Sequence, residues 1–227
     1  MKYNQIVISI TVILICISLV CGYTLVKSQN YREILFGKTI YVDPGHGGKD
    51  NGTSFNGVLE DEINLKISGF IIEQLIDLGA HVLTSRTSDY DLSNIYDKNK
   101  KRSDLLRRVN MINSSEPDLF VSIHLNSYPS KTVKGGQVFY QKGENSKILA
   151  QFIQNNLNEL SNDKSKKVKQ GDYYILNKTK ELGVLVECGF LSNAEERDNL
   201  LKESYQRKIA SKIVSGMIEY FNNLSNW

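Results

Sequence analysis

Histidine, cysteine and net charge are all in short supply in this chain of 227 residues. The three cysteines, at 16, 21 and 188, make neither a disulfide framework nor a metal-binding spacing. Against 28 Lys and Arg stand 25 Asp and Glu. The resulting +3 is too small, at this length, for a nucleic-acid-binding protein. Internal repeats, low-complexity segments and an appended binding module are missing as well. Hydrophobic residues make up 41% of the chain. That suffices for one domain whose core stands without disulfides.

Long apolar runs are limited to one. Residues 6–26 carry no charge over about 21 positions, close to the ~20 that span a bilayer. Lys2 precedes the run as in a secretory leader, and no small-x-small cleavage site follows it. Ser18, Leu19 and Val20 lack the small residue expected before a lipidated Cys21. The expectation is an uncleaved signal anchor over residues 1–27, with a cleaved signal peptide as the second reading. Cys16 and Cys21 then belong to the membrane, and only Cys188 to the folded domain. Residues 28–37 read as a polar linker and 38–227 as the domain itself.

The domain opens on an apolar run, Ile40, Tyr41 and Val42, that reads as a buried strand. It breaks at Asp43-Pro44-Gly45, and further glycines follow at 47, 48 and 52. Pro44 cannot donate to a sheet ladder and the glycines permit unusual backbone angles, so the chain turns here. His46 is left in that turn. The glycine pattern matches neither the dinucleotide-binding fingerprint nor the P-loop. A helix is expected over 61–78, with Ile63, Ile67, Phe70, Ile71, Leu75 and Leu78 on one face and Gly79 closing it. A strand over 80–84 and a charged, mobile loop over 89–102 follow. Ser103 is placed to cap a helix running to Asn113.

Residues 119–123 read as a third strand, ending at His124, and 137–140 as a fourth. A helix is expected over 146–162. The basic run over 164–169 reads as a solvated loop. Strands over 173–176 and 184–187 and a helix over 204–222 complete the chain. Strands alternating with helices predict an α/β fold, a single three-layer sandwich. Its sheet is expected to be largely parallel but mixed, of about six strands.

His46 and His124 each stand just beyond an apolar strand, whereas His81 starts one and reads as structural. Parallel strands side by side would bring the first two together at one sheet edge. Glu60 lies just before a helix that returns to that edge. Two imidazoles and one carboxylate make a set that leaves a zinc ion one open position. A carboxylate serving the helix N-terminus is the plainer reading of Glu60. With Asp61 and Glu62 adjacent, spacing does not choose among the three. Glu187 ends a buried apolar strand, a costly place for a carboxylate without a partner or a task. It is a candidate general base. Cys188 has apolar neighbours and reads as a buried structural thiol.

Four segments carry a resemblance: Val42-Asp-Pro-Gly-His-Gly-Gly48, Leu59-Glu60, Ser122-Ile-His-Leu-Asn126 and Leu185-Val-Glu-Cys-Gly-Phe-Leu-Ser-Asn193. In order and separation they resemble the signatures of the zinc-dependent N-acetylmuramoyl-L-alanine amidases. The resemblance spans about residues 38–224. It implies one zinc per chain held by His46, Glu60 and His124, with Glu187 as the catalytic carboxylate. The family's acid precedes a short polar pair and then the helix, which selects Glu60. Residues 84–87 are similar to the family's Thr-Arg segment, and Arg108 and Asn113 to an Arg…Asn pair. These matches are expected to be structural or substrate-positioning, with Arg86 offered as a substrate contact. Gly47, Gly48 and Asn126 are small or polar enough to let the substrate approach closely.

The resemblance implies a peptidoglycan hydrolase cutting the amide between N-acetylmuramic acid and L-alanine. The apolar leader, the lack of wall-binding repeats and the charged stretch from Lys100 to Arg107 look most like the spore-cortex amidases. Those act on the way to muramic lactam. The expected location is outside the cell, membrane-anchored and facing the wall or the space between forespore membranes, with secretion second. An open site without a built-in plug suggests an accessory activating protein. Two rival readings are a zinc exopeptidase of related architecture and a non-catalytic wall-binding module.

Overall fold

The computed structural model describes residues 2–161 and 166–225. The first helix, α1 (Lys2–Leu35), runs unbroken through residues 28–35, so the expected linker is helical almost to its end. Leu35 is fully buried, with Tyr31 and Ile34 packed on the same core. An apolar side chain that reaches the core extends the helix past a polar stretch. Within α1 the side chains of 2–4, 6–8, 24–30 and 32–33 lie outside the described residues, and so does part of the expected anchor. Among the described residues, no helix is long and apolar enough to cross a membrane.

The sheet has six strands in the order β4-β1-β5-β8-β6-β7. Here β1 is Thr39–Pro44, β4 His81–Thr84, β5 Leu119–Asn126, β6 Gln137–Tyr140, β7 Lys169–Gln170 and β8 Gly183–Phe190. The first four in that order run parallel, and β6 is antiparallel to β8. A two-stranded hairpin, β2 (Ser54–Phe55) with β3 (Val58–Leu59), feeds directly into α2 (Glu60–Asp77). The α/β architecture with a largely parallel mixed sheet is therefore as expected.

One face of the sheet is covered by α2, α4 (Glu144–Ser161) and α7 (Glu203–Ser225). Ile63, Ile67, Ile71 and Leu75 of α2 and Ile209, Ile213 and Met217 of α7 pack against Val121, Ile123, Val184 and Val186. The other face takes α3 (Lys100–Ser115) and the short α5 (Tyr174–Lys178). Val109, Ile112, Ile175 and Leu176 meet Tyr41, Phe120 and Leu185 there. Side chains alternate across a strand, so the two sets occupy opposite faces.

Several boundaries differ from expectation. The segment 173–176 is not a strand but the start of α5, because periodicity cannot separate two buried residues on a helical turn from two on a strand. The third main helix starts at Lys100, capped by Asn99, whose side-chain oxygen accepts from Arg102 N at 3.0 Å. The cap therefore falls before Ser103. The loop over 89–102 is tied down: Leu92 N donates to Asp104 at 2.8 Å and Arg107 pairs with Asp97. Of the basic run, Lys164 and Ser165 lie outside the described residues and Lys169 enters β7. Asn162, the expected end of α4, lies outside them too. The seven-residue α6 (Ala194–Leu200) had no counterpart in the sequence reading.

Candidate active site

The site forms where β1 and β5 end side by side. Gly45 N donates to Ile123 O at 2.9 Å, carrying the strand pairing one residue beyond Pro44. The chain then turns at His46, whose φ of 61° is left-handed, and Gly47 and Asp50 close the turn with reciprocal backbone bonds. His46 Nδ1 lies 3.0 Å from Asp50 Oδ2, which leaves Nε2 toward Glu60 Oε1 at 3.3 Å. His124 Nδ1 is 3.0 Å from that same oxygen. The two imidazoles stand edge to face, 4.9 Å between centroids.

Glu60 is the first residue of α2 and is 3% exposed. Its carboxylate accepts from Leu125 N at 3.0 Å, Thr53 N at 2.7 Å and Asn64 Nδ2 at 3.2 Å. Space for this arrangement comes from Gly45 and Gly52. A β-carbon at Gly45 would lie 2.3 Å from the His124 ring, and one at Gly52 2.5 Å from Glu60 Oε2. One donor atom from each of His46, Glu60 and His124 lies within 4.8 Å of the others. Asp61, though buried, does not join them, Glu62 faces solvent, and His81 is exposed on the edge strand. Burial opposes charge on Glu60, but the two imidazoles beside it hold its carboxyl well below the usual range. Burial likewise works against a charged His46, yet Asp50 and Glu60 raise it to about 9. A site that draws a proton this strongly onto an imidazole suits a cation. The oxygen and nitrogen donor set fits zinc.

Glu187 stands opposite His124 in the β5–β8 register. It is not at the end of its strand, which continues to Phe190. Tyr173 Oη donates to its Oε1 at 3.5 Å, and its buried Oε2 has no partner among the described residues. Burial, chiefly, raises its pKa to about 7, with Glu60 adding to the effect. An orphaned carboxylate oxygen beside a His2Glu set is what a proton shuttle for a bound water requires. Cys188 points to the other face, into the core, and burial pushes its thiol well up, which removes it as a nucleophile.

Residues 40–219 match the N-acetylmuramoyl-L-alanine amidase family. The chain belongs to that family. It is 42% identical over 194 residues to the germination-specific N-acetylmuramoyl-L-alanine amidase of Bacillus subtilis, covering 82% of this chain and 81% of that one. It is 35% identical to the amidase LytC of the same organism, covering 86% of this chain but 38% of that longer one. Among solved structures it is similar to the CwlD amidase of Clostridioides difficile in complex with the GerS lipoprotein. There the TM-score is 0.80 at 35% identity, over 82% of this chain and 100% of that one.

In this amidase fold the loop carrying His46 is clamped from behind. Arg108 Nη1 donates to Asp43 Oδ1 and Pro44 O, both at 2.7 Å, and its Nη2 to His46 O at 2.6 Å. Asp104 takes its Nε at 2.7 Å, while Ser85 and Ser122 donate to Asp43 at 2.5 and 2.7 Å. Arg86, expected at the substrate, is 1% exposed and donates to Pro44 O, Gly45 O, Asp61 O and Ser88 O. It braces the loop instead. The missing side chains of Gly47 and Gly48 admit the 90–91 backbone, which a β-carbon would meet at 2.4 and 2.7 Å. Asn113 pins the turn after α5 through Lys178 O and Lys180 N. Asn126 remains half-exposed at the end of β5, where a register shift re-aims the strand. Asp50 and Tyr173 were missed in the sequence. An acid four residues after His46 was the only signal for the first, and the second had none.

Proposed function

We propose that the chain is a zinc-dependent amidase that cuts the N-acetylmuramoyl–L-alanine bond of peptidoglycan, in the maturation of spore cortex. The observation that carries this reading is Glu187, buried and half-partnered, in register beside His124. His46, Glu60 and His124 would hold the metal. Zinc, when bound, supplies Lewis acidity that activates water near pH 7 and polarises a carbonyl. Glu187 Oε2 takes the proton of the attacking water and returns it to the departing amine of L-alanine. Tyr173 holds the other oxygen, which limits the rotations open to the carboxylate. Asp50, facing His46 Nδ1, keeps the proton on that nitrogen and leaves Nε2 free to coordinate.

The charge-free stretch 6–26 within α1 supports an anchor that leaves the domain outside the cell. Membrane fractions of cells making the full chain should retain it after an alkaline wash. Release into the supernatant would leave a cleaved leader instead. That the similar CwlD was solved with a lipoprotein supports an accessory protein for this chain too. Such a partner would raise zinc occupancy and turnover together. Full zinc occupancy and rapid hydrolysis by the chain alone would remove the need for one.

Mass analysis of peptidoglycan incubated with protein and zinc tests the activity itself. Free stem peptides and peptide-less glycan are the expected products. Cleavage within the peptide would favour a zinc exopeptidase, and an unchanged digest a non-catalytic wall-binding module.

A further inference from the structure

A groove of about 720 Å³ runs from the end of β5 along the antiparallel edge of the sheet. Its walls include Asn126, Phe139 and Phe190, with Lys166, Lys167 and Lys169 along one side. Its volume is that of a small-molecule site. Two of its wall residues neighbour Glu187 in the fold. Gln137, also in its wall, is paired with Glu187 across β6 and β8. Phe139 stands edge-on to Tyr173 at 5.0 Å, and Tyr173 bonds Glu187.

The three lysines differ. Lys166 lies 4.8 Å over the Phe190 ring and donates to Gly135 O. Lys167 and Lys169 are exposed, and neither ammonium makes an ion pair among the described residues. No acidic side chain among the described residues lines the groove. The other surfaces near the site do not share this character. The hollow beside His46 mixes Lys49, Lys100 and Lys101 with Asp50, Asp91 and Asp104. In the hollow by the β2–β3 hairpin, Lys131 and Arg197 lie over Phe55, and Lys134 is paired with Glu195.

We propose that this groove receives the acidic peptide on the leaving side of the scissile amide, with Lys167 and Lys169 pairing its carboxylates. The inference rests on the amidase reading, which places a glycan on one side of the bond and a peptide on the other. N-acetylated sugars are uncharged, whereas a stem peptide carries free carboxyls at its acidic residue and its C-terminus. A groove with two exposed ammoniums, neither in an ion pair among the described residues, is complementary to the second and indifferent to the first. Phe139, partly exposed, offers apolar surface to the peptide between its charges.

Calorimetry of the full chain with free L-Ala–D-Glu–L-Lys, and with the same tripeptide amidated at both carboxyls, tests the groove without catalysis. The free peptide should bind more tightly. That preference should fall about tenfold in Lys167→Glu/Lys169→Glu and should shrink at high salt. The Gln/Gln double variant should give an intermediate loss. Both sites are exposed, and matched melting temperatures confirm that the variants fold. In kinetics on the two corresponding muramoyl-tripeptides, the ratio of kcat/KM for free over amidated substrate should drop similarly. Equal binding of the two tripeptides, or a preference untouched by either double variant, overturns the proposal. Wild-type protein that binds the free tripeptide with this lysine dependence but cleaves neither substrate would sink the amidase reading and leave the groove standing.

Discussion

At Glu187 stability and chemistry pull in opposite directions. Its folded pKa of about 7 lies above the ordinary 4.5, so the native state holds a proton there that the unfolded chain releases. Stability from this group is therefore full below pH 4.5 and lost as pH rises to about 7. The loss is roughly 3 kcal/mol. Glu187→Gln, which cannot ionise, should raise the melting temperature of the metal-free protein at pH 8 and change it little at pH 4. The same variant should keep its zinc and lose at least ~100-fold in hydrolysis. Zinc content and turnover measured on one preparation separate the two effects. If activity per bound metal survives, Glu187 is not the base. Around the metal, Glu60→Ala and His124→Ala should abolish zinc uptake, while His81→Ala on the exposed edge should not. Asp50→Ala should weaken zinc by ~10–100-fold through loss of the His46 orientation, read by competition with a chelator.

The elements that position these residues meet at buried Arg108, paired with both Asp43 and Asp104. Asp43 at the end of β1 and Arg108 in the middle of α3 are each 1% exposed, and Arg108 also holds the carbonyls of Pro44 and His46. Arg108 keeps Asp104 when Asp43 is neutralised, so Asp43→Asn should destabilise the fold in urea unfolding at pH 7 by less than the ~3–5 kcal/mol of a fully stranded charge. Burial works against an ionised Asp43, but Arg108, Ser85 and Ser122 hold its carboxyl below the usual range. Its contribution is thus present above the unfolded carboxylate pKa and lost as pH falls through the folded one. The gap between wild type and Asp43→Asn should accordingly narrow below pH ~4. The sequence offered Arg108 only by likeness to a family pattern, and Arg86 as a substrate residue. Which backbone carbonyls an arginine will meet depends on where three separate elements cross.

At the scale of the whole molecule, Leu35, inside the stretch 28–37 that reads as linker, lies in the core built by α2, α7 and the sheet. A chain lacking residues 1–27 should therefore melt close to the full-length domain. One lacking 1–37 also loses Leu35, which should cost about 2–5 kcal/mol. Equal midpoints for the two truncations would show that the end of α1 contributes no packing.

The sequence by itself determined the alternation of strands and helices, the face each long helix buries, and the residues able to bind a metal and move a proton. These are local properties: hydrophobic period, strand-ending histidines, and a carboxylate in an apolar run. Spacing left Glu60, Asp61 and Glu62 open and likeness to the family chose Glu60; the tertiary structure shows Glu60 meeting both imidazoles, since a one-residue step on a helix turns a side chain by about 100°. It also decided that Arg86 and the two glycines serve the loop, that 174–178 is helical, and that three lysines flank a groove walled by Gln137 and Phe139. Each of those depends on which distant segments come to share a surface, and nothing in the spacing of one segment records its neighbours.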